Sequence, residues 1–282
     1  MKILKIACLM IPLYIVSCSS DENQPEESNI KSYHYTYMDY LKVYYVPSGS
    51  PQSNGAAGSV KLEYDSQNRI IKRIGGLSPL PASLGLEAYL FSDEVTEDIV
   101  YTNNEIKITR NIPNVNLFFE RKMIVDNKNR IIKKIIYKKA PEVNDSIFYT
   151  YNNLNQIDKT LKLLGKPDYA VSKLYQKAKY YYSPQQNLDS IVTVNFEGGS
   201  LDTGTEIYRT VEKFSNYDNA TNPLKKLIIF DETYLRAISK NNYAKYENLG
   251  YKNNELIQQN ISNYNYRYDA SGNINYDFVS VP

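Results

Sequence analysis

Apolar and polar residues alternate along most of the chain, and short turn-forming phrases interrupt this alternation. In residues 32–46, Tyr33, Tyr35 and Tyr37 occupy alternate positions. This period of two predicts a β-strand with one buried face. Runs such as "RIIKKIIYKK" and "DSIVTVNF" are apolar at neighbouring positions, which predicts that parts of both faces of the sheet are covered.

One seven-residue phrase recurs five times, as "YDSQNRI", "VDNKNRI", "YNNLNQI", "YSPQQNL" and "YDASGNI". Asn or Gly stands at its fifth position in four copies, and both residue types tolerate the left-handed backbone conformation. Its second to fourth positions are rich in Asp, Asn, Ser and Pro, which favour turns. The phrase therefore predicts a β-hairpin with a type I turn and a following left-handed residue. The five turn-forming residues are Asn68, Asn129, Asn155, Gln186 and Gly272.

Two further segments interrupt the strand pattern. Asn222 and Pro223 stand before "LKKLIIFDETYLRAISKNN", and Asn at the cap with Pro at the first helical position favours a helix start. The β-branched Ile228 and Ile229 leave a strand as the alternative. Residues 75–89 are apolar and are predicted to fold back over the sheet as a lid or plug. The fold expected is an antiparallel meander of hairpins forming a twisted or curled sheet, with at most one or two short helices near 222–240. An open sheet, a half-barrel and a sandwich all fit the irregular spacing.

The N-terminus has the pattern of an export signal. Lys2 and Lys5 precede an apolar run that ends in "IVSC" at Cys18, and this run is shorter than the roughly 20 residues that a membrane span requires. We expect residues 1–17 to be a signal peptide, residues 18–31 a lipidated, disordered tether rich in acidic residues, and residues 32–282 a single all-β domain that carries the repeats.

These features resemble known families. The "IVSC" sequence resembles the lipobox of bacterial lipoproteins, which implies a lipid on Cys18 and attachment to a membrane. "SDE" directly after "CS" resembles the surface-export signal of Bacteroidota lipoproteins, which implies an outer-membrane protein displayed on the cell surface; a spacer that faces the periplasm is the alternative. The hairpin phrase resembles the YD-type repeats of Rhs-like proteins and of uncharacterised Bacteroidota lipoproteins. The copies here are few and irregularly spaced, and Asn often replaces the turn Gly.

The composition excludes several chemistries. The net charge is +2 from 33 basic and 31 acidic residues, and loss of Lys2 and Lys5 with the signal leaves 31 of each. A nucleic-acid partner lacks the basic excess it needs. With one histidine and no cysteine beyond Cys18 after the signal, histidine triads, cysteine nucleophiles and common zinc sites are not expected. We predict no catalytic residue, no metal site and no cofactor.

Two groups of residues are candidates for ligand contact. The chain has 28 tyrosines and no tryptophan, and tyrosine suits half-buried sheet positions as well as binding faces. The tyrosines proposed for ligand contact are Tyr33, Tyr35, Tyr37, Tyr180, Tyr181 and Tyr182. An acidic cluster of Asp93, Glu94, Glu97 and Asp98 is interpreted as a solvated face, with calcium binding or a carboxylate pair as the alternative.

The function expected is non-enzymatic binding or scaffolding, with a glycan or an outer-membrane protein as partner. A carboxylate-dependent polysaccharide hydrolase is one alternative, since paired carboxylates cleave glycosides without histidine. An accessory subunit of an outer-membrane complex is the other.

Overall fold

The computed structural model describes residues 29–36, 57–80, 88–113, 119–137, 144–165, 174–198 and 201–280. Fourteen antiparallel strands form one sheet in which each strand pairs with the next along the chain. These strands are β1 (Ser32–Thr36), β2 (Ala57–Tyr64), β3 (Ile70–Leu80), β4 (Ala88–Tyr101), β5 (Glu105–Asn111), β6 (Phe119–Val125), β7 (Ile131–Ile136), β8 (Asp145–Tyr151), β9 (Ile157–Leu164), β10 (Leu174–Tyr182), β11 (Leu188–Glu197), β12 (Thr205–Tyr217), β13 (Tyr243–Lys252) and β14 (Glu255–Asn263). A separate hairpin of β15 (Asn265–Tyr268) and β16 (Ile274–Ser280) follows.

The predicted fold class is confirmed, and the sheet is open because β1 and β14 are not paired. Two short helices join β12 to β13: a 3₁₀ helix, η1 (Pro223–Leu227), and an α-helix, α1 (Asp231–Ala237). Asn222 caps η1 as predicted, since its side chain accepts a hydrogen bond from the Leu224 N–H at 3.0 Å. Among the described residues, no helix has the length and apolar content needed to cross a membrane.

The sheet curls around the helical segment, residues 222–237, which packs on what we name the inner face. One core cluster joins Leu224, Leu227 and Phe230 of this segment to apolar side chains of β1 to β7. A second cluster joins strands β9 to β13, with Tyr234 and Leu235 of α1 packed against it. The helical segment therefore packs on the concave side of the sheet and contacts strands from both of its halves.

This packing corrects one expectation from the sequence. Residues 75–89 were predicted to form the lid or plug, but residues 75–80 extend β3 and residues 88–89 begin β4, while residues 81–87 lie outside the described residues. The helical segment, which lies far later in the chain, fills the sheet instead. Apolar content alone does not separate these two roles, because a long strand and a plug both bury apolar side chains.

The tight turns share one edge of the sheet. Since successive strands are antiparallel, every second connection lies at the same ends of the strands. The turns at 65–69, 102–104, 126–130, 152–156 and 183–187 all lie there, and we name this row of strand ends the turn edge. The helical segment leaves and re-enters the sheet at this edge as well.

Candidate functional site

The repeated phrase builds the turn edge. Asn68, Asn129, Asn155, Gln186 and Gly272 have φ angles of 58°, 59°, 60°, 67° and 79°, so each adopts the left-handed conformation. In four of the five turns the side chain at the second position accepts hydrogen bonds from the backbone N–H groups two and four residues later. The residues that accept these bonds are Asp65, Asp126, Asn152 and Asp269. The Asp or Asn side chain at the second position therefore stabilises the turn in these four copies.

Arginines of two turns connect neighbouring hairpins. Arg69 forms an ion pair with Asp65 at 2.7 Å and lies over the ring of Tyr101, 4.7 Å from its centroid. Arg130 repeats the arrangement with Asp126, at 2.6 Å, and Tyr151, at 4.6 Å. Such cation–π contacts stabilise by about 0.5–1 kcal/mol at exposed sites.

A groove opens at the turn edge between these turns and the helical segment. Its volume is about 860 Å³, within the range of roughly 300–1,000 Å³ that is typical of small-ligand sites. The turns at 65–69, 102–104 and 126–130 form one wall, and Lys226 with Ile229 of the helical segment forms the other. The polar side chains that line this turn-edge groove are Gln67, Asn68, Arg69, Tyr101, Thr102, Asn103, Asn129 and Lys226.

The N-terminal end of the described chain lies beside this groove. The Asn29 side chain donates to the Asn68 Oδ1 at 2.9 Å and accepts from the Lys226 Nζ at 2.7 Å. The Tyr64 hydroxyl donates to the Ile30 carbonyl at 2.5 Å. Residues just before β1 therefore bridge the turns and the helical segment next to the groove.

The groove can form hydrogen bonds and attract anions. Amide side chains offer both donors and acceptors, whereas Arg69 and Lys226 offer only donors and positive charge. Burial raises the pKa of Tyr101 to about 12, so its hydroxyl stays protonated at neutral pH. This set suits a hydroxyl-rich ligand that carries a negative charge.

A second polar cluster lies inside the sheet and ties it to α1; we name it the inner ion network. Arg73 on β3 is 2% exposed and pairs with Glu232 at 2.8 Å. The Tyr33 hydroxyl on β1 donates to the Glu232 carboxylate at 2.8 Å and accepts from the Arg73 Nε at 3.0 Å. Three elements that are distant in sequence thus meet through paired polar groups.

The other half of the inner ion network is centred on Asp231. Arg121 on β6 donates to Asp231 at 3.1 Å and to Glu97 at 2.9 Å. Lys134 on β7 also pairs with Asp231. These contacts attach α1 to strands β4, β6 and β7, and they give the buried cations of the sheet anionic partners, which burial makes necessary.

Two carboxylates of the inner ion network, those of Asp231 and Glu97, have lowered pKa values. Burial raises the pKa of Asp231, but Lys134 and Arg121 outweigh burial and hold this pKa at about 2. Burial likewise opposes the charge of Glu97, and Arg121, Arg73 and Arg110 together lower its pKa below the ordinary value. Neither group can donate a proton near neutral pH, so this pair lacks the acid that glycoside hydrolysis needs.

The structure separates the residues of the predicted acidic cluster. Glu97 lies on the inner face and is 3% exposed, whereas Asp93, Glu94 and Asp98 are exposed. The expected solvated face is therefore wrong for Glu97, because alternation along β4 sends its side chain to the inner face. In the described parts of the chain, no group of three or more acidic, His or Cys side chains is arranged to hold a metal ion.

The tyrosines proposed for ligand contact occupy different environments. Tyr33 is buried in the inner ion network, and Tyr180 is buried in the second core cluster. Tyr181 points to the other face and is 46% exposed, and Tyr182 is half-buried. Tyr35 lies in β1, and Tyr37 and Cys18 lie outside the described residues. The turn-edge groove instead contains Tyr101, which lies at the end of β4 and was not among the tyrosines proposed for ligand contact.

Comparisons with known proteins concern the fold. No protein-family model matches the chain, and no curated protein sequence matches it. A porin-like protein from Bacteroides vulgatus ATCC 8482 is similar in structure, with 13% identity and a TM-score of 0.49 over 79% of this chain and 87% of that chain. A porin-like protein from Bacteroides uniformis ATCC 8492 has 11% identity and a TM-score of 0.46 over 77% and 80% of the two chains.

Proposed function

We propose that the protein is a lipid-anchored outer-membrane protein, displayed at the cell surface, that binds an acidic glycan without cleaving it. The signal pattern and the "IVSC" sequence at Cys18 support the anchor, and the "SDE" that follows supports surface display. The observation that carries the binding role is the turn-edge groove, with its amide, tyrosine and cationic lining.

The chemistry of the groove favours a sugar acid or a sulfated sugar. Asn68, Asn103 and Asn129 present amides from three successive turns, and such planar groups bind hydroxyls through paired donors and acceptors. Lys226 brings positive charge to the groove, and Arg69, which is also paired with Asp65, lines it with further N–H groups. A neutral glycan would use only the amides, whereas an acidic one also gains charge-assisted hydrogen bonds.

The position of the groove fits capture close to the anchor. Asn29 bridges Asn68 and Lys226 beside the groove, and only residues 19–28 separate it from Cys18 in sequence. At up to about 3.4 Å per residue, this stretch reaches no more than roughly 40 Å. A glycan held in the groove would therefore stay near the membrane surface.

Affinity electrophoresis of the protein in gels that contain an acidic or a neutral polysaccharide tests the binding role. We expect retardation by alginate or dextran sulfate and little by dextran. Lys226→Ala and Asn103→Ala are expected to weaken retardation about tenfold, because each removes a groove contact. Lys225→Ala is the matched control, since Lys225 has the same charge but does not line the groove. Equal loss in the control, or no retardation by any polysaccharide, would contradict the proposal.

Protease treatment of intact cells tests the anchor and the display. The wild-type protein is expected to be cleaved on whole cells, and Cys18→Ala is expected to be released or lost. Protection of the wild type until the outer membrane is opened would rule out surface display and leave a periplasmic location.

A further inference from the structure

The last strand of the large sheet, β14, presents an unusual edge. Within the described residues it pairs only with β13, and nearly all its side chains are exposed. At the other end of the sheet, β16 of the separate hairpin lies close to β1. An edge strand with unpaired N–H and C=O groups is a template for pairing with another strand.

The composition of β14 does not protect this edge. Soluble proteins guard exposed edges with lysine, proline, inward charges or bulges. A bulge interrupts the register with β13 between Gln258 and Leu256, but residues 258–264, "QQNISNY", are free of register shifts and contain no charge, proline or glycine. Short uncharged segments of this kind favour strand–strand association.

The backbone direction along this stretch follows from one hydrogen bond. The Tyr264 N–H donates to the Ala244 carbonyl at 2.8 Å. The backbone N–H and C=O groups of Tyr264 are therefore directed towards β13. In an antiparallel ladder this direction alternates from residue to residue. Gln259, Ile261 and Asn263 therefore point their N–H and C=O groups towards the open edge.

The same stretch is complementary to itself about Ile261. In an antiparallel pair with a two-fold axis at this residue, Ile261 faces Ile261 of the second copy, and Gln259 faces Asn263. The Ile261 side chain is 50% exposed, and the pair would bury it against its copy, while the flanking amides can hydrogen-bond across the strands. Six backbone hydrogen bonds form, two in each of three facing pairs.

We propose that β14 is a homodimerisation edge, and that two copies of this chain pair antiparallel along residues 258–264 to form one continuous 28-stranded sheet. Because the contact is the same patch on both copies, it closes at two and does not propagate. Because β16 lies beside β1, it covers that edge strand of the sheet, and β14 is the edge strand that is left for pairing.

Disulfide cross-linking of the full chain in intact cells tests the pairing and its register. Ile261→Cys is expected to give a covalent dimer on oxidation, since facing Cα atoms in such a pair lie about 5.5 Å apart. Gln259→Cys is the matched control, because it lies on the same strand and face. In the proposed pair, however, the two cysteines at position 259 are displaced by four residues along the strands, which is about 13 Å. Co-expressed Gln259→Cys and Asn263→Cys chains are expected to cross-link with each other. The wild type controls for Cys8 and Cys18.

A second test measures association without cysteines. Sedimentation velocity of the purified full chain is expected to show a dimer, and Ile261→Lys is expected to weaken it at least tenfold because two like charges then meet on the axis. Val100→Lys is the control, since Val100 is an exposed strand residue (57%) away from β14. A monomer at about 100 µM, cross-linking of Ile261→Cys to a different protein, or equal cross-linking of Gln259→Cys would each overturn the proposal.

Discussion

The hydroxyl of Tyr151 donates a hydrogen bond to the backbone carbonyl of Ile131, at 2.7 Å. Tyr151 is the first residue of one copy of the repeated phrase, and Ile131 is the last residue of the copy before it. Tyr217, which ends β12, makes the same kind of bond to Leu188, the last residue of the "YSPQQNL" copy. The last residue of two copies of the phrase is thus tied to a tyrosine of the neighbouring hairpin at the turn edge.

Tyr151→Phe tests this link. The change keeps the ring and its contact with Arg130 but removes the hydroxyl, so we expect a loss of about 1 kcal/mol in the free energy of unfolding. Urea denaturation monitored by circular dichroism measures it. Tyr181→Phe, at a position that is 46% exposed, is expected to change stability by less than about 0.5 kcal/mol. Equal effects of the two changes would show that the hydroxyl bond adds nothing.

Substitutions at Asn129 test how much the left-handed backbone conformation of the turn residue affects stability. Its φ of 59° costs a residue with a Cβ atom about 1 kcal/mol or more, so Asn129→Ala is expected to destabilise by about 1 kcal/mol and Asn129→Gly to leave stability close to that of the wild type. Lys128→Ala, next to it in the same turn, is the control. Thermal unfolding of the three variants measures the difference, and a Gly variant as unstable as the Ala variant would contradict this explanation.

The lowered pKa of Asp231 predicts how the stability of the fold depends on pH. Its pKa in the folded protein is about 2, below the ordinary value of about 3.9. A depressed carboxyl pKa stabilises the fold above the unfolded-state pKa, and this contribution disappears as pH falls from about 4 towards 2. Asp231→Asn is therefore expected to cost about 3 kcal/mol at pH 7, where Lys134 and Arg121 lose their partner, and much less near pH 2.5.

Urea unfolding of the wild type and Asp231→Asn at both pH values checks this dependence. Asp93→Asn, an exposed carboxyl of β4, serves as the control and is expected to show little change at either pH. A difference between the wild type and Asp231→Asn that stays constant from pH 7 to pH 2.5 would contradict the ionic role of this residue.

Leu227 tests whether the helical segment is part of the core. It is 0% exposed and packs against apolar side chains from the first half of the sheet. Leu227→Ala is expected to destabilise the protein by about 3 kcal/mol through lost burial and a residual cavity. Leu154→Ala, at a turn position that is 67% exposed, is the control. If the sheet unfolded at the same urea concentration in both variants, the helical segment would not contribute to the stability of the core.

Local chemistry made the hairpins and the first helix predictable. The backbone conformation at Asn68 or Gly272 depends on the residue itself and on its immediate neighbours, so a seven-residue phrase is enough to indicate it. The same holds for Asn222, whose cap bond reaches only two residues along the chain. Alternation along the strands likewise predicted an antiparallel meander.

The inner ion network could not be predicted in this way. Glu97 was part of an acidic run, and its buried position follows from its face of β4 and from Arg121, which lies on a different hairpin. Arg73 and Glu232 are 159 positions apart in the sequence and pair directly. Spacing along one chain does not reveal such pairs, because the curl of the sheet brings them together.

By itself, the sequence determined the elements whose causes are local: the strands, the left-handed turn residues and the Asn222 cap. The tertiary structure alone decided which edge collects the turns, which segment fills the concave face, and which strand ends the sheet. These features depend on contacts between distant residues, where burial and charge pairing act across space. The turn-edge groove and the open edge of β14 both arise at that level.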